Sequence, residues 1–221
     1  LLQLCKDPCI YRSSDEITIL NERRLSPHHR VHAVSLPLEI ADVLGDWDAV
    51  ASDTDRVVDA VSKNLATPCV RNPRGLLLLA LAHLALGDEE RATELERDGE
   101  RIAGSGYDTY LSGPRTRIAL ARGDRAMAEA QAELPLERSF VWGPGVFTAR
   151  LDVLLALGRY DSIENEAPSL VQAGTLVEPF ALRALGAARG DDELLGQADA
   201  RFADLGLTWH MAQTERLLEG I

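Results

Sequence analysis

The stretch Leu84-Ala85-Leu86-Gly87-Asp88 joins an apolar segment to a strongly charged one, and it decides the fold that this sequence predicts. Glycine adopts the left-handed backbone that ends a helix without a steric penalty, and aspartate accepts hydrogen bonds from the free N–H groups that start the next helix. The join recurs at Gly45-Asp46, Gly123-Asp124, Gly158-Arg159 and Gly190-Asp191. The chain is therefore predicted to consist of helical hairpins, with Asp161 as the cap after Gly158.

The five glycines recur roughly every 35 residues, near the period of about 34 that is typical of tetratricopeptide repeats. A small or apolar residue stands two positions before each glycine, and another stands five positions after it. Both positions are expected to pack against neighbouring helices. We predict an all-α fold, a tetratricopeptide-like α-α superhelix of about five helical hairpins over residues 27–221. An irregular helical bundle is the alternative, and residues 1–26 form an N-terminal segment of uncertain structure.

Several signals predict where individual helices begin and which of them is central. Asn72-Pro73 has the composition of a helix N-cap followed by a first helical residue, and Thr208 is a second candidate cap. Pro37 predicts a kink or a break, with Ser35 capping the second part. The segment Leu76 to Leu86 is apolar nearly all round, which predicts a helix buried on several sides at the centre of the array.

Composition excludes several classes of function. The formal net charge of -12 repels phosphate backbones and offers no basic patch to anionic membranes, so neither nucleic acid nor membrane is an expected partner. Three cysteines make no disulfide framework, which favours a cytoplasmic location. Because the chain begins with Leu1 and not with Met, we expect it to be part of a longer protein.

A small set of cysteines and histidines raises the question of zinc. His28 and His32 lie four residues apart and share one helix face, and Cys5 and Cys9 have a spacing that zinc sites use. The interpretation that we favour is that these are ordinary buried or free cysteines and surface histidines. No metal or cofactor is therefore predicted, with zinc on these four residues as the alternative.

Acidic pairs look like candidates for catalysis but have a structural explanation. Glu89-Glu90 and Asp191-Asp192 stand where helices are expected to start, and acidic side chains there are stabilised by the helix dipole. Gly104-Ser105-Gly106 resembles part of a phosphate-binding loop, but no Gly-Lys-Ser/Thr follows it. We predict no catalytic residue, and we expect this segment not to be an enzyme.

Arginines near the predicted helix starts are the candidate partner-binding residues. Arg71 and Arg74 flank Asn72-Pro73, and Arg115 and Arg117 follow about one repeat later. In helical repeats such positions can line a shared surface for an acidic peptide, and Trp142 is a candidate anchor for a partner. The alternative is that the arginines are solvated and merely balance a very acidic protein.

Four segments of the sequence resemble a known family. These segments are Leu65–Asn72, Gly106-Tyr107, Glu178–Gly186 and Ala203–His210. They are similar to the C-terminal helical-repeat region of actinobacterial multidomain signalling proteins. In these, an AAA/STAND-type ATPase accompanies a class III adenylate/guanylate cyclase or a LuxR-like regulator. The resemblance covers about residues 30 to 218. It implies a non-catalytic tail, since the cyclase aspartates and the ATPase lysine have no matching positions here.

The sequence thus leads to one favoured function and two alternatives. The favoured function is a protein-interaction or regulatory module of a larger signalling or transcriptional regulator, whose partner is a protein, a peptide or a neighbouring domain of the same chain. The second is a small-molecule sensor that binds its ligand inside the superhelix. The third is a zinc-dependent enzyme, or an enzyme whose site cannot be read from one sequence.

Overall fold

The computed structural model describes residues 24–133 and 145–220. Over these ranges the chain is helical and contains no strand, which confirms the predicted all-α class. The helices are α1 (Pro27–Leu44), α2 (Trp47–Ser52), α3 (Thr54–Lys63), α4 (Arg71–Ala85), α5 (Glu89–Ile102), α6 (Asp108–Ala121), α7 (Arg125–Ala132), α8 (Gly145–Ala156), α9 (Tyr160–Glu166), α10 (Glu178–Arg189), α11 (Asp192–Leu205) and α12 (Thr208–Leu218). A 3₁₀ turn, Ala167–Leu170, follows α9.

The described residues form two compact units, each with its own core. The first comprises residues 24–42 and 46–133, and the second comprises residues 43–45 and 145–220. In the first unit α4 packs against α5 and α6, and α6 packs against α7. In the second unit α10 packs against α8 and α11, and α8 packs against α9. Both units therefore contain successive helical pairs whose first helices touch. The predicted division at residue 26 stays a prediction.

Helix α4 lies at the centre of the first unit. Every residue from Leu76 to Ala82 is buried, and side chains from α1, α2, α3, α5 and α6 pack around this helix in one core. The prediction of burial on several sides is confirmed for these residues. At the end of the predicted segment Leu84 is half-buried, and Ala85 and Leu86 are exposed. In the second unit, Phe180 of α10 and Phe202 of α11 are buried with ring centroids 5.0 Å apart, in an edge-to-face arrangement.

The five joins have one backbone geometry. Each glycine lies in the left-handed region, with φ between 64° and 83°. The N–H of the next residue donates to the carbonyl five residues earlier, as Asp88 does to His83 at 2.8 Å. This bond satisfies a helix-end carbonyl and characterises the Schellman motif. The predicted role of glycine at all five joins is confirmed.

The aspartates of four joins cap the following helix through a carboxylate oxygen. Asp46 accepts from the Ala49 N–H at 3.0 Å, and Asp124 accepts from the Met127 N–H at 3.0 Å. Asp88 and Asp191 make equivalent bonds. Helix α9 differs, because Arg159 occupies its cap position and no side chain caps the helix. Asp161 lies within the first turn of α9, so its predicted capping role is wrong.

Three other predicted helix starts are wrong, and a tertiary contact explains only the first of them. Asn72 lies one residue inside α4, where its buried side chain accepts a hydrogen bond from Asn64 at 3.0 Å. Ser35 does not cap a second helix, since α1 is continuous and the hydroxyl donates to the Val31 carbonyl at 2.6 Å. Thr208 is the first residue of α12 and makes no capping bond.

One of the two packing positions around each join is confirmed. The residues five positions after the glycines are all buried, and these are Val50, Ala92, Ala128, Ile163 and Leu195. Of the residues two positions before the glycines, Ala85, Ala121 and Ala156 are exposed, so the prediction is wrong there, whereas Ala188 is half-buried against the second core.

No helix within the described residues is long and apolar enough to cross a membrane.

Candidate functional site

The predicted partner-binding arginines of the first unit lie between its helices and form ion pairs. Arg71 of α4 contacts Glu39 of α1 at 3.0 Å, and Arg74 approaches the same carboxylate oxygen at 3.5 Å. Arg74 also donates to the Tyr110 carbonyl of α6 at 2.9 Å. The side chains of Arg71 and Glu39 are 14% and 16% exposed, so their pair is shielded and still reaches the surface.

Arg117 connects the same group of helices from α6. Its Nη1 donates to both carboxylate oxygens of Asp42 on α1, at 2.8 and 3.0 Å. Its guanidinium carbon lies 5.4 Å from the ring centroid of Trp47, within the range of a cation–π interaction. We name Glu39, Asp42, Arg71, Arg74 and Arg117 the arginine–acid layer. Through these ion pairs it links α1 to α4 and to α6, the first helices of three successive hairpins.

Arg115 lies on α6 but binds a different helix. Its Nε and Nη2 donate to the two carboxylate oxygens of Glu100 on α5, both at 2.7 Å, and Nη1 donates to Asp108 at 2.9 Å. These hydrogen bonds to Glu100, opposed by partial burial, raise the pKa of the Arg115 guanidinium. Arg115 therefore serves the packing of α5 on α6 and is not part of the arginine–acid layer.

These contacts change the physical setting of the predicted partner surface. Each of the four arginines already has an acidic partner inside the chain, so none presents a solvated, uncompensated charge. The proposal that they bind a partner stays a prediction. Trp142, the predicted anchor, lies outside the described residues.

A second cluster joins two of the predicted zinc candidates to a residue that the sequence did not point to. His28 and His32 of α1 have ring centroids 4.6 Å apart. Cys69, half-buried just before α4, places its Sγ 3.6 Å from Nε2 of His32. One ligand atom from each of these three residues lies within 4.8 Å of the others. We name His28, His32 and Cys69 the His–His–Cys cluster.

The surroundings of the His–His–Cys cluster favour the neutral form of the His32 ring. Burial, followed by the positive charge of Arg71 and the neighbouring His28 and His29, lowers the pKa of His32 below its ordinary value of about 6.5. His29 points elsewhere, because its Nδ1 lies 2.7 Å from the Ser26 hydroxyl. Nδ1 of His28 is buried and has no hydrogen-bond partner among the described residues.

The sequence grouped the two histidines with Cys5 and Cys9 and did not point to Cys69. Cys5 and Cys9, the other two zinc candidates, lie outside the described residues. Cys69 follows His32 by 37 positions, and only the packing of α1 beside the start of α4 brings them together. The one available signal was the Thr67-Pro68-Cys69 turn, which had to return the chain towards an earlier helix.

A buried arginine in the second unit was also missed. Arg183 of α10 has a side chain only 4% exposed, and it donates to Asp152 of α8 at 2.5 Å and to the His210 carbonyl at 3.2 Å. Its guanidinium lies over the rings of Phe180 and Phe202, 5.4 and 4.9 Å from their centroids. The signal was a single arginine within an otherwise apolar helix. The geometry describes a structural clamp between α8 and α10.

Comparisons with protein-family models, with curated proteins and with solved structures find no match to this chain.

Proposed function

We propose that this chain is a non-catalytic protein-interaction module of tetratricopeptide-like construction, serving as the regulatory part of a larger signalling or transcriptional protein. The repeated join supports the architectural part of the proposal, because one backbone device closes five helix corners. Helical repeats act by presenting the aligned helices of successive pairs to a partner. The partner that we propose is an extended segment with acidic side chains.

The single observation that carries the proposal is the arginine–acid layer. It runs across α1, α4 and α6, which are the first helices of successive hairpins and the helices that line the groove in such repeats. Its side chains are fixed by ion pairs at 2.8 to 3.5 Å, so they lose little conformational freedom when a partner binds. A preorganised polar surface of this kind is suited to the recognition of an extended peptide with charged side chains.

Arg117 is the residue of the layer best placed to bind a partner carboxylate. Its side chain is 19% exposed, and both hydrogen bonds to Asp42 come from Nη1. A guanidinium has five N–H donors in a planar fork, so Nη2 can bind a second carboxylate while the pair with Asp42 stays intact. The net charge of -12 opposes an acidic partner at long range, which restricts binding to ligands that reach these local donors.

Replacement of Arg117 by lysine is expected to weaken binding of acidic peptides about tenfold, the loss that one charge-assisted hydrogen bond of about 1.5 kcal/mol produces. Lysine retains the charge opposite Asp42, so the fold is maintained, but it lacks the planar fork. Binding is measured by fluorescence anisotropy with labelled peptide pools of acidic, neutral and basic composition.

The matched control is Arg125→Lys, an exposed arginine of α7 that pairs with Glu129 outside the layer. It is expected to leave the affinity for every pool unchanged. Equal binding of the acidic pool by the wild type and by Arg117→Lys contradicts the proposal, as does the absence of binding by any pool. If metabolites raise the melting temperature while no peptide binds, the small-molecule sensor is the correct function.

A further inference from the structure

We infer that the His–His–Cys cluster is a zinc site. His28, His32 and Cys69 supply two imidazole nitrogens and one sulfur, the ligand types that Zn²⁺ prefers in proteins. All three residues lie in the first unit, and the inference is independent of the proposed peptide binding. It also differs from the zinc alternative of the sequence, because the thiolate comes from Cys69.

The distances in the cluster agree with tetrahedral coordination. A zinc ion with Zn–S of about 2.3 Å and Zn–N of about 2.0 Å at a tetrahedral angle separates the sulfur and nitrogen atoms by about 3.5 Å. Sγ of Cys69 and Nε2 of His32 are 3.6 Å apart. The third ligand atom, from His28, lies within 4.8 Å of both, so it needs a shift of about 1 Å, within reach of a side-chain rotation.

The way in which the chain holds these residues also favours a metal. His28 and His32 are separated by one helical turn on α1, so the helix itself fixes their relative orientation. Cys69 is held just before α4, where its carbonyl accepts from the Asn72 N–H at 3.0 Å. Nδ1 of His28 is buried without a partner among the described residues, and a bound cation supplies one.

The positive charge of Arg71 opposes a cation here, and the negative charges of Glu39 and of the Cys69 thiolate offset it. The guanidinium of Arg71 is close enough to act on His32, but it is paired with Glu39 at 3.0 Å. Zinc binding releases the proton of the Cys69 thiol, so the site gains a negative charge on binding. Three protein ligands leave a fourth position for water, and the ion ties the first turns of α1 to the chain that leads into α4.

Titration of the full chain with Co²⁺, a spectroscopic substitute for zinc, tests the inference. We expect one equivalent to bind with a sulfur-to-cobalt charge-transfer band, and added Zn²⁺ to abolish the band. The variants Cys69→Ser, His28→Gln and His32→Gln are each expected to weaken binding by more than about tenfold, since even residues that only support a ligand are worth that much. His29→Gln on the same helix turn and the double variant Cys5→Ser/Cys9→Ser are expected to bind normally.

Alkylation of the unmodified protein provides a measurement that no folding defect can affect. Zn²⁺ is expected to slow the reaction of iodoacetamide with Cys69, as read by peptide mass spectrometry, with Cys5 and Cys9 as internal references. A chelator should restore the original rate. The inference is overturned if the charge-transfer band survives Cys69→Ser, if it disappears in the Cys5→Ser/Cys9→Ser variant, or if zinc leaves the alkylation of Cys69 unchanged.

Discussion

Asp152→Ala is expected to lower the free energy of unfolding by about 3 kcal/mol, because it leaves the buried guanidinium of Arg183 without its counter-charge. The Arg183 side chain is only 4% exposed, whereas that of Asp152 is 30% exposed. Water therefore solvates Asp152 more readily than it can reach Arg183. Urea unfolding followed by far-ultraviolet circular dichroism measures the loss.

Because Arg183 is more deeply buried than Asp152, removing the arginine instead of the aspartate serves as the control. Arg183→Met removes the buried charge, keeps most of the side-chain volume and leaves Asp152 able to hydrate, so the expected loss is below about 1 kcal/mol. The His210 carbonyl keeps its bond from the Thr214 hydroxyl at 2.9 Å. In the double variant Asp152→Ala/Arg183→Met, the alanine is expected to lower the free energy of unfolding little further than Arg183→Met alone. A larger loss for Arg183→Met than for Asp152→Ala shows that the charge is not what destabilises the chain.

Gly186→Ala is expected to cost about 3 kcal/mol of stability, because the join between α10 and α11 has no room for a methyl group. A Cβ at this position would lie 2.9 Å from both Cγ and the backbone nitrogen of Leu195, and 3.1 Å from the Asp191 carbonyl oxygen. Two of these atoms belong to the backbone and cannot move without shifting α11. Urea unfolding measures this loss as well.

Gly196→Ala is the matched control, since Gly196 is also inside a helix of the second unit. Its Cβ would meet nothing within 4 Å, so alanine there is expected to stabilise the chain by about 0.5 to 1 kcal/mol through its better helix propensity. If both substitutions change the free energy of unfolding in the same direction, the close approach of α11 to Gly186 does not contribute to stability.

The fold could be predicted from the sequence wherever one short stretch carries the whole signal. Gly87-Asp88 specifies a left-handed backbone and a cap within two residues, and neither depends on distant parts of the chain. The same holds for Leu76 to Ala82, where the lack of any polar face predicts burial on several sides, although Ala85 and Leu86 beyond them are exposed. These predictions are confirmed because local and tertiary preferences agree.

The predicted cap at Asn72 failed because its side chain has a partner on another helix. Asn72 is a good N-cap by composition, but its buried amide pairs with Asn64, which is eight residues away and on another helix end. A buried amide that loses its partner costs more than one missing cap, so the tertiary pair prevails over the local preference. Ser35 differs, because its hydroxyl donates to the Val31 carbonyl of the same helix and α1 continues past it.

The candidate sites were harder to predict than the helices, because they depend on how the hairpins pack. The sequence identified Arg71 and Arg117 as candidates, but their partners Glu39 and Asp42 lie 32 and 75 residues earlier. The sequence likewise grouped His28 and His32, and only the packing of α1 beside α4 adds Cys69. A residue type can suggest chemistry, but only the tertiary packing determines whether its charge is already paired within the chain.

The central claim is that the aspartates of the repeated join are helix caps and that the chain is built from hairpins closed in this way. Asp124 tests it most directly, because its carboxylate accepts from the Met127 N–H at 3.0 Å and makes no ion pair among the described contacts. The measurement is the free energy of unfolding of Asp124→Ala and Asp124→Ser. We predict that alanine lowers it by about 1 kcal/mol and that serine, an equally good cap, restores most of the loss. Wild-type stability in Asp124→Ala, or an equal loss in both variants, contradicts the claim.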